Sequence, residues 1–261
     1  MNTKGEIQVI AGKGGVGKTS ISAIFTKLLL REKEKLLIID ADPMVNLGYA
    51  LGEIPERTIG DYREKIISSN AERKDLISRP IKTIIREIIK SSDRGYDLLA
   101  MGRAEGKGCF CGVNDMLRYG IQALSKEYDM TLIDCEAGVE QVNRRAVHRI
   151  DKLILVTDTS RRGFATLAQV RDIATKYNED APLIDYVLVN RIRSEKEREM
   201  TRGYAEDLGF VNIGFVPEDD HILVCNTKGQ PLIDLPDDSP SVLAVQNILN
   251  EVAHLFFTET A

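Results

Sequence analysis

The sequence predicts a doubly wound α/β fold, in which a mostly parallel sheet is flanked by helices. Three observations predict it. Short apolar runs alternate with helix-length segments, this alternation continues along nearly the whole chain, and a glycine-rich stretch separates the first run from the first helix. Regular alternation of this kind favours parallel strands joined by right-handed crossovers. We interpret residues 1–261 as one domain.

Seven apolar runs are predicted to be strands: Ile7–Ala11, Leu36–Ile39, Tyr96–Met101, Thr131–Ile133, Leu153–Val156, Tyr186–Val189 and Val211–Val216. The predicted helices between them are Thr19–Glu32, Ile81–Lys90, Asn114–Lys126, Gln141–His148, Phe164–Tyr177 and Lys196–Leu208. The segment Ile54–Asp93 contains charged runs and a proline, so we interpret it as two helices joined by a loop.

Composition and the two ends of the chain bear on location and partners. The 43% hydrophobic and 29% charged residues are typical of a soluble protein, and the net charge of -5 disfavours a mainly electrostatic partnership with nucleic acid. The tail Ser239–Phe257 has a helical apolar period without Lys or Arg, which favours packing on the sheet over membrane binding. The first strand follows the N-terminus at once, leaving no room for a signal peptide, so we expect a cytoplasmic protein.

The glycine-rich stretch Gly12-Lys13-Gly14-Gly15-Val16-Gly17-Lys18-Thr19 predicts a phosphate-binding loop, or P-loop. Glycines allow backbone N–H groups to turn toward phosphates, and the following helix presents its positive end. We predict that Gly14, Gly15, Val16 and Gly17 surround the phosphates of ATP. Lys18 is predicted to reach the β- and γ-phosphates, Thr19 to ligate Mg²⁺ and Ser20 to contact the α-phosphate.

The second lysine of the loop, Lys13, carries a resemblance to a family. The form Lys-Gly-Gly-x-Gly-Lys-Thr resembles that of MinD, ParA, nitrogenase iron protein and arsenite-pump ATPases. This resemblance implies a Mg²⁺-dependent ATPase that forms a homodimer, in which Lys13 crosses to the partner's nucleotide and assists hydrolysis. A solvated loop lysine is the alternative.

Further site residues are predicted where later strands end. Asp40-Ala41-Asp42-Pro43 is similar to the family's first switch, with Asp42 predicted to orient the attacking water and Asp40 to lie near the metal. Asp134 resembles a Walker B aspartate that holds Mg²⁺, followed by a second switch at residues 136–138. The strand-end residues Asn190, Arg191, Pro217 and Glu218 are predicted to contact adenine. Ordinary polar turns are the alternative at these strand ends.

A pair of cysteines, Cys109 and Cys111, lies in a loop bracketed by glycines. Two thiolates at this spacing can bind one ion but supply only two of the four ligands of a four-coordinate ion. A second copy of the chain would supply the other two and complete the site. A redox pair and two core cysteines are the alternatives. The four cysteines of the chain are too few and too unevenly spaced for a disulfide scaffold.

This loop, together with residues 134–145, resembles the CooC/AcsF ATPases of nickel insertion. The resemblance implies that Cys109 and Cys111 bind Ni²⁺ or Zn²⁺ between two protomers, and that the client is carbon monoxide dehydrogenase or acetyl-CoA synthase. Residues 140–143 depart from the CooC pattern toward AcsF, which leaves the client open. A MinD/ParA-like positioning ATPase is the alternative function. An electron-transfer ATPase is disfavoured because Cys135 directly follows Asp134. We assign no metal role to Cys135, Cys225 or the three histidines.

Overall fold

The computed structural model describes residues 5–68, 78–103, 118, 121–135, 149–178 and 183–254. Its centre is a sheet of eight strands in the order β3-β4-β2-β5-β1-β6-β7-β8. The strands are β1 Glu6–Gly12, β2 Leu36–Asp40, β3 Lys90–Ser91, β4 Tyr96–Ala100, β5 Met130–Asp134, β6 Lys152–Thr157, β7 Ile184–Ile192 and β8 Ile213–Pro217. All neighbouring strands pair in parallel except β3 and β4. The predicted doubly wound α/β fold is confirmed.

Helices cover both faces of the sheet. They are α1 Lys18–Leu29, α2 Asn46–Leu51, α3 Ile59–Ser68, α4 Ile81–Ile88, α5 Arg161–Tyr177, α6 Glu195–Asp207, α7 Asp220–Lys228 and α8 Pro240–His254, with a 3₁₀ turn at Leu232–Asp234. Residues 121–125 are also helical. The predicted helix Gln141–His148 and residues 114–117, 119 and 120 of the predicted helix Asn114–Lys126 lie outside the described residues.

The core has two apolar layers, one on each face of the sheet, because alternate strand residues point to opposite sides. Val9, Leu37 and Leu153 belong to one layer, and Ile10 and Ile38 to the other. The second layer also receives three fully or nearly buried residues of α8, namely Val242, Val245 and Ile248. The prediction that the C-terminal tail packs on the sheet is therefore confirmed. Within the described ranges, no helix combines the length and apolarity needed to cross a bilayer.

Tertiary contacts alter several predicted boundaries. Helix α4 ends at Ile88, two residues early, because Lys90 and Ser91 pair with β4 as a short antiparallel edge strand. The last predicted strand begins two residues late, and Val211 is 87% exposed in the preceding turn. Helices α2 and α7 are short and were not predicted. No residue of α7 is buried, so an apolar period could not have revealed it.

Asp219 joins the end of β8 to the beginnings of α7 and α8. One carboxylate oxygen accepts hydrogen bonds from the His221 backbone N–H (2.9 Å) and ring. The other accepts from both Ser239 and Ser241 hydroxyls and from the Ser241 backbone N–H (3.0 Å). Burial alone would raise the pKa of Asp219, but these hydrogen bonds lower it well below its ordinary value.

We expect Asp219→Ala to lower the free energy of unfolding by about 3 kcal/mol, because buried donors on two helices lose a charged acceptor. Urea unfolding at neutral pH measures this loss. The depressed pKa means that the contribution is present above the ordinary aspartate pKa and is lost only as the pH falls toward the folded-state value. Asp220→Ala, at an exposed neighbour, is the control and should change stability by less than about 0.5 kcal/mol. Equal stability of the two variants would contradict the anchoring role.

Candidate nucleotide-binding site

The carboxyl ends of the four central strands β2, β5, β1 and β6 meet at one edge of the sheet and bring predicted polar residues together. Asp40 at the end of β2 is in register with Asp134 at the end of β5. Gly12 at the end of β1 is in register with Val156 of β6, two residues before Asp158. Ligands of open α/β sheets bind outside this edge. The predicted nucleotide site is therefore at the expected place in the fold.

The P-loop joins β1 to α1, and two of its glycines are required by its path. A side chain at Gly12 would begin 2.0 Å from the Val156 carbonyl oxygen, and Gly17 has a φ of +93° at the start of α1. The N-cap of α1 is Gly17, which has no side chain to cap the helix, and the first turn carries no acidic residue. A helix start of this composition is suited to an anion, because the first N–H groups of a helix have no acceptor within the helix.

Lys18, Thr19 and Asp134 lie beside this helix start. The buried Lys18 ammonium donates to the Lys13 carbonyl oxygen at 3.1 Å, within the loop itself. The Thr19 hydroxyl donates to one Asp134 oxygen and the Ser22 hydroxyl to the other, each at 2.9 Å. Hydroxyl and carboxylate oxygens are the donor set that Mg²⁺ prefers. Thr19 and Asp134 therefore fit the predicted Mg²⁺ role. Ser20 is half-buried in the same turn.

Two neighbouring carboxyl groups in this site have raised pKa values. Burial raises the pKa of Asp134 to about 7, although the Ser22 and Thr19 hydroxyls and the Lys18 charge oppose the rise. Burial likewise raises the pKa of Asp40 to about 6, against the effect of its backbone hydrogen bonds. A buried carboxylate is held in its charged form by a nearby cation. The site is therefore electrostatically suited to a divalent ion.

Asp40 and Asp42 shape the loop between β2 and α2. Asp40 is fully buried and accepts hydrogen bonds from three backbone N–H groups, those of Asp42 (3.0 Å), Leu47 (2.9 Å) and Gly48 (3.2 Å). It thus anchors the start of α2, while its predicted proximity to Mg²⁺ stays a prediction. Asp42 is half-buried and accepts from the Met44 N–H and from the Asn46 amide.

Lys13 forms an ion pair within its own chain. Its ammonium lies 2.7 Å from Asp158, at the end of β6, and 3.5 Å from the Ser160 hydroxyl. Burial would raise the pKa of Asp158, but hydrogen bonds from Lys13 and Ser160 lower it overall. The side chains of Lys13 and Asp158 are 31% and 36% exposed, so water screens the pair. The Lys13 ammonium therefore has a partner within its own chain, and reaching a second molecule would require it to leave Asp158, while its predicted role in a dimer stays a prediction.

The residues predicted to contact adenine fall into two groups. Asn190 and Arg191, at the end of β7, both hydrogen-bond to carbonyl groups of the P-loop. Pro217 ends β8, and the exposed Glu218 accepts two hydrogen bonds from Arg193, at 2.7 and 2.8 Å. The adenine contacts of all four residues stay predictions.

Several predicted features lie outside the described residues. These are Cys109, Cys111, residues 136–138, residues 140–143 and His148. Cys135 is described and buried, and burial beside Asp134 raises its thiol pKa to about 12, which keeps it neutral. Among the described side chains, no group of three or more His, Cys, Asp or Glu is placed to hold a metal ion.

Sequence reasoning missed three residues that the structure brings to the site: Ser22, Asp158 and Ser160. Ser22 lies one helical turn after Lys18, so its spacing alone could have indicated a role near the loop. Asp158 and Ser160 follow a buried strand, which is the same signal that identified Asp40 and Asp42. Only their contacts with Lys13 distinguish them from an ordinary helix start, which Ser160 also caps.

Comparisons with known proteins agree with this geometry. The sequence model of the CobQ/CobB/MinD/ParA nucleotide binding domain matches residues 7–232. An uncharacterized ATP-binding protein of Methanocaldococcus jannaschii is 36% identical over 96% of this chain and 100% of its own length. The carbon monoxide dehydrogenase accessory protein CooC of Rhodospirillum rubrum is 32% identical over 63% of this chain and 67% of its own.

A solved structure extends the likeness to the fold. The Pyrococcus furiosus cell division ATPase MinD superposes with a TM-score of 0.72 at 22% identity, covering 96% of this chain and 99% of that one. At this identity the superposition shows a shared fold alone. The family match, however, spans the P-loop, Asp40, Asp134 and Asn190, whose side chains converge at one edge of the sheet. The chain belongs to the CobQ/CobB/MinD/ParA family of nucleotide-binding domains.

Proposed function

We propose that this protein is an ATP-hydrolysing metallochaperone for nickel insertion into carbon monoxide dehydrogenase or acetyl-CoA synthase, and that ATP drives its dimerisation. The observation that carries the proposal is the glycine-bracketed Cys109-x-Cys111 in a chain whose P-loop has a second lysine, Lys13. The partial likeness to CooC supports it.

The residues of the nucleotide site support ATP binding and hydrolysis. Lys18 is already directed into the P-loop, where its charge stabilises the β- and γ-phosphates. Asp42 lies on the loop after β2, where its carboxylate can accept a proton from an attacking water. Mg²⁺, when held by Thr19 and Asp134, neutralises charge on the phosphate oxygens.

Contacts of Met101 and Gly102, which precede Cys109 and Cys111 in the sequence, support a coupling between nucleotide and metal. Met101 donates its N–H to the Asp40 carbonyl oxygen and accepts from the Gly60 N–H, each at 2.8 Å. Gly102, with a φ of +63°, packs so closely on Thr58 that a side chain would clash at 2.2 Å. A shift of the Asp40–Asp42 loop would therefore move Met101, which precedes the two cysteines in the sequence.

The charge of the P-loop supports the proposed dimer. Two nucleotides facing each other concentrate negative charge, which a cation from each protomer would stabilise. We expect Lys13→Gln to bind ATP but to dimerise and hydrolyse poorly, because glutamine fills similar space without the charge. Sedimentation with Mg-ATP in an Asp42→Asn background, in which hydrolysis is expected to be slow, measures dimerisation, and steady-state phosphate release by the Lys13→Gln single variant measures hydrolysis. The Asp42→Asn protein with Lys13 intact is the control, and a monomer there at micromolar concentration would contradict the dimer.

Metal stoichiometry tests the chaperone function. We expect one Ni²⁺ or Zn²⁺ per dimer, because one loop supplies two thiolates and the ion takes about four ligands. Equilibrium dialysis of wild type and of a Cys109→Ser, Cys111→Ser variant measures it, and Cys225→Ser is the matched control. Metal retained by the double variant, or one ion per monomer in wild type, would contradict the shared site. Absence of metal binding with ATP-dependent binding to anionic vesicles would favour the positioning ATPase.

A further inference from the structure

A cleft of about 450 Å³ lies at the end of the sheet opposite the nucleotide site. The end of α1, the turn before β4 and the 3₁₀ turn form its walls, which are lined by Lys27, Leu30, Arg31, Arg94, Ile233 and Asp234. Because α1 starts in the P-loop and rises about 1.5 Å per residue, its last turn lies roughly 15 Å from that loop. The cleft is therefore separate from the nucleotide site, and its volume is typical of small-molecule sites.

Positive charge is unevenly neutralised around this cleft. On one side, Arg94 pairs with Asp234 through two hydrogen bonds, at 2.6 and 3.0 Å. On the α1 side, the Lys27 ammonium and the Arg31 guanidinium both contact the same oxygen of Asp237, at 3.0 and 2.5 Å. One carboxylate therefore neutralises two cations on the α1 side, and the five groups together carry one net positive charge.

The shared carboxylate is the exchangeable member of this group. The Asp237 side chain is 64% exposed, whereas that of Lys27 is only 15% exposed. An ion pair with so exposed a carboxylate is weak, because water screens the pair and solvates the carboxylate when it leaves. The Lys27 ammonium also lies 3.4 Å from the Ile233 carbonyl oxygen, which keeps it at the cleft. A different anion could therefore replace Asp237 without moving Lys27.

The cleft suits an anion that carries an apolar part. A phosphate or carboxylate group offers Lys27 and Arg31 separate oxygens, and charge-assisted hydrogen bonds of this kind are stronger than neutral ones. Leu30 and Ile233 line the same cleft and belong to the side-chain layer that packs beneath α1. An apolar group that contacts them removes apolar surface from water.

We propose that this cleft binds a small organic anion, whose phosphate or carboxylate group replaces Asp237 on Lys27 and Arg31 and whose apolar part contacts Leu30 and Ile233. The proposal is independent of ATP hydrolysis and of metal binding by the two cysteines. The bound anion would connect the far end of the P-loop helix to two segments that are distant from it in the sequence.

Phenyl phosphate is the probe, titrated by calorimetry into protein saturated with Mg-ADP so that nucleotide already occupies the P-loop. We expect it to bind in the millimolar range. Inorganic phosphate, which lacks the apolar part, should bind at least about threefold more weakly. Lys27→Ala and Arg31→Ala should each lower the affinity for phenyl phosphate about fivefold, because each removes one charge-assisted contact.

Asp237→Asn should have the opposite effect. Asparagine no longer competes for the two cations, so the affinity for phenyl phosphate should rise about threefold. Lys35→Ala is the control, because Lys35 is an exposed lysine four residues beyond Arg31 that does not line the cleft. Its affinity should match that of wild type, which would exclude a general effect of surface charge. Thermal unfolding of each variant checks that the fold is intact.

Four results would overturn the proposal. The first is the absence of binding to wild type at millimolar phenyl phosphate. The second is wild-type affinity in both Lys27→Ala and Arg31→Ala, which would place the probe elsewhere. The third is a fall in affinity in Asp237→Asn, which would show that the carboxylate supports the cleft and does not compete for it. The fourth is equal affinity for phenyl phosphate and inorganic phosphate, which would show that the apolar part makes no contact.

Discussion

Lys18→Ala is expected to weaken Mg-ATP binding by at least about 100-fold, because a charge-assisted contact with two phosphates contributes about 3 kcal/mol. The structure strengthens this expectation. The Lys18 ammonium is buried and donates to the Lys13 carbonyl oxygen at 3.1 Å, so it already lies inside the loop. Little side-chain entropy remains to be lost when phosphate binds. Isothermal titration calorimetry measures the affinity directly.

A second lysine of the same helix provides the control. Lys27 lies in the last turn of α1 and pairs with Asp237 at 3.0 Å, away from the P-loop. Lys27→Ala should bind Mg-ATP like wild type. This result would show that the loss of any one positive charge from α1 does not by itself weaken ATP binding. Thermal unfolding of both variants checks that the fold is intact. Unchanged ATP affinity in Lys18→Ala would refute the assigned role.

Asp42→Asn is expected to bind Mg-ATP normally and to hydrolyse it at least about 100-fold more slowly, because general-base assistance contributes roughly that factor. An asparagine oxygen can still accept from the Met44 N–H, and the exposed Asn46 amide can rotate so that its oxygen accepts from the new NH2 group, so the loop should keep its conformation. The variant loses the basic oxygen that would take a proton from water. Steady-state phosphate release measures the rate, and calorimetry measures the binding.

Asp93→Asn makes the same chemical change at a distant position. Asp93 is exposed in the turn before β4, at the opposite end of the sheet from the nucleotide site. Asp93→Asn is therefore the control, and its rate of ATP turnover should equal that of wild type. Normal turnover in Asp42→Asn would exclude Asp42 as the base and would direct attention to the residues at 136–138.

Local pattern determined much of the fold. The seven predicted strands all correspond to observed strands, because buried parallel strands are continuous apolar runs that stand out from amphipathic helices. The P-loop could also be predicted from the sequence, because its path requires glycine at two positions. Gly12 closely approaches β6, and Gly17 has a positive φ. The roles predicted for Lys18, Thr19 and Asp134 follow from the same local patterns. Lys18 and Thr19 come directly after the glycines of the loop, and Asp134 is the last residue of an apolar strand.

The tertiary structure decided which side chains meet. Asp158 is 145 residues from Lys13, and Asn190 is 174 residues from Val16, so no local period could relate them. Their contacts exist because β6 lies beside β1 in the sheet and β7 is the next strand after β6, and because Asn190 and Arg191 lie where the pairing of β7 with β8 is irregular. The order of the strands and one local distortion, and not residue type, therefore turn strand-end polar residues into partners of the P-loop.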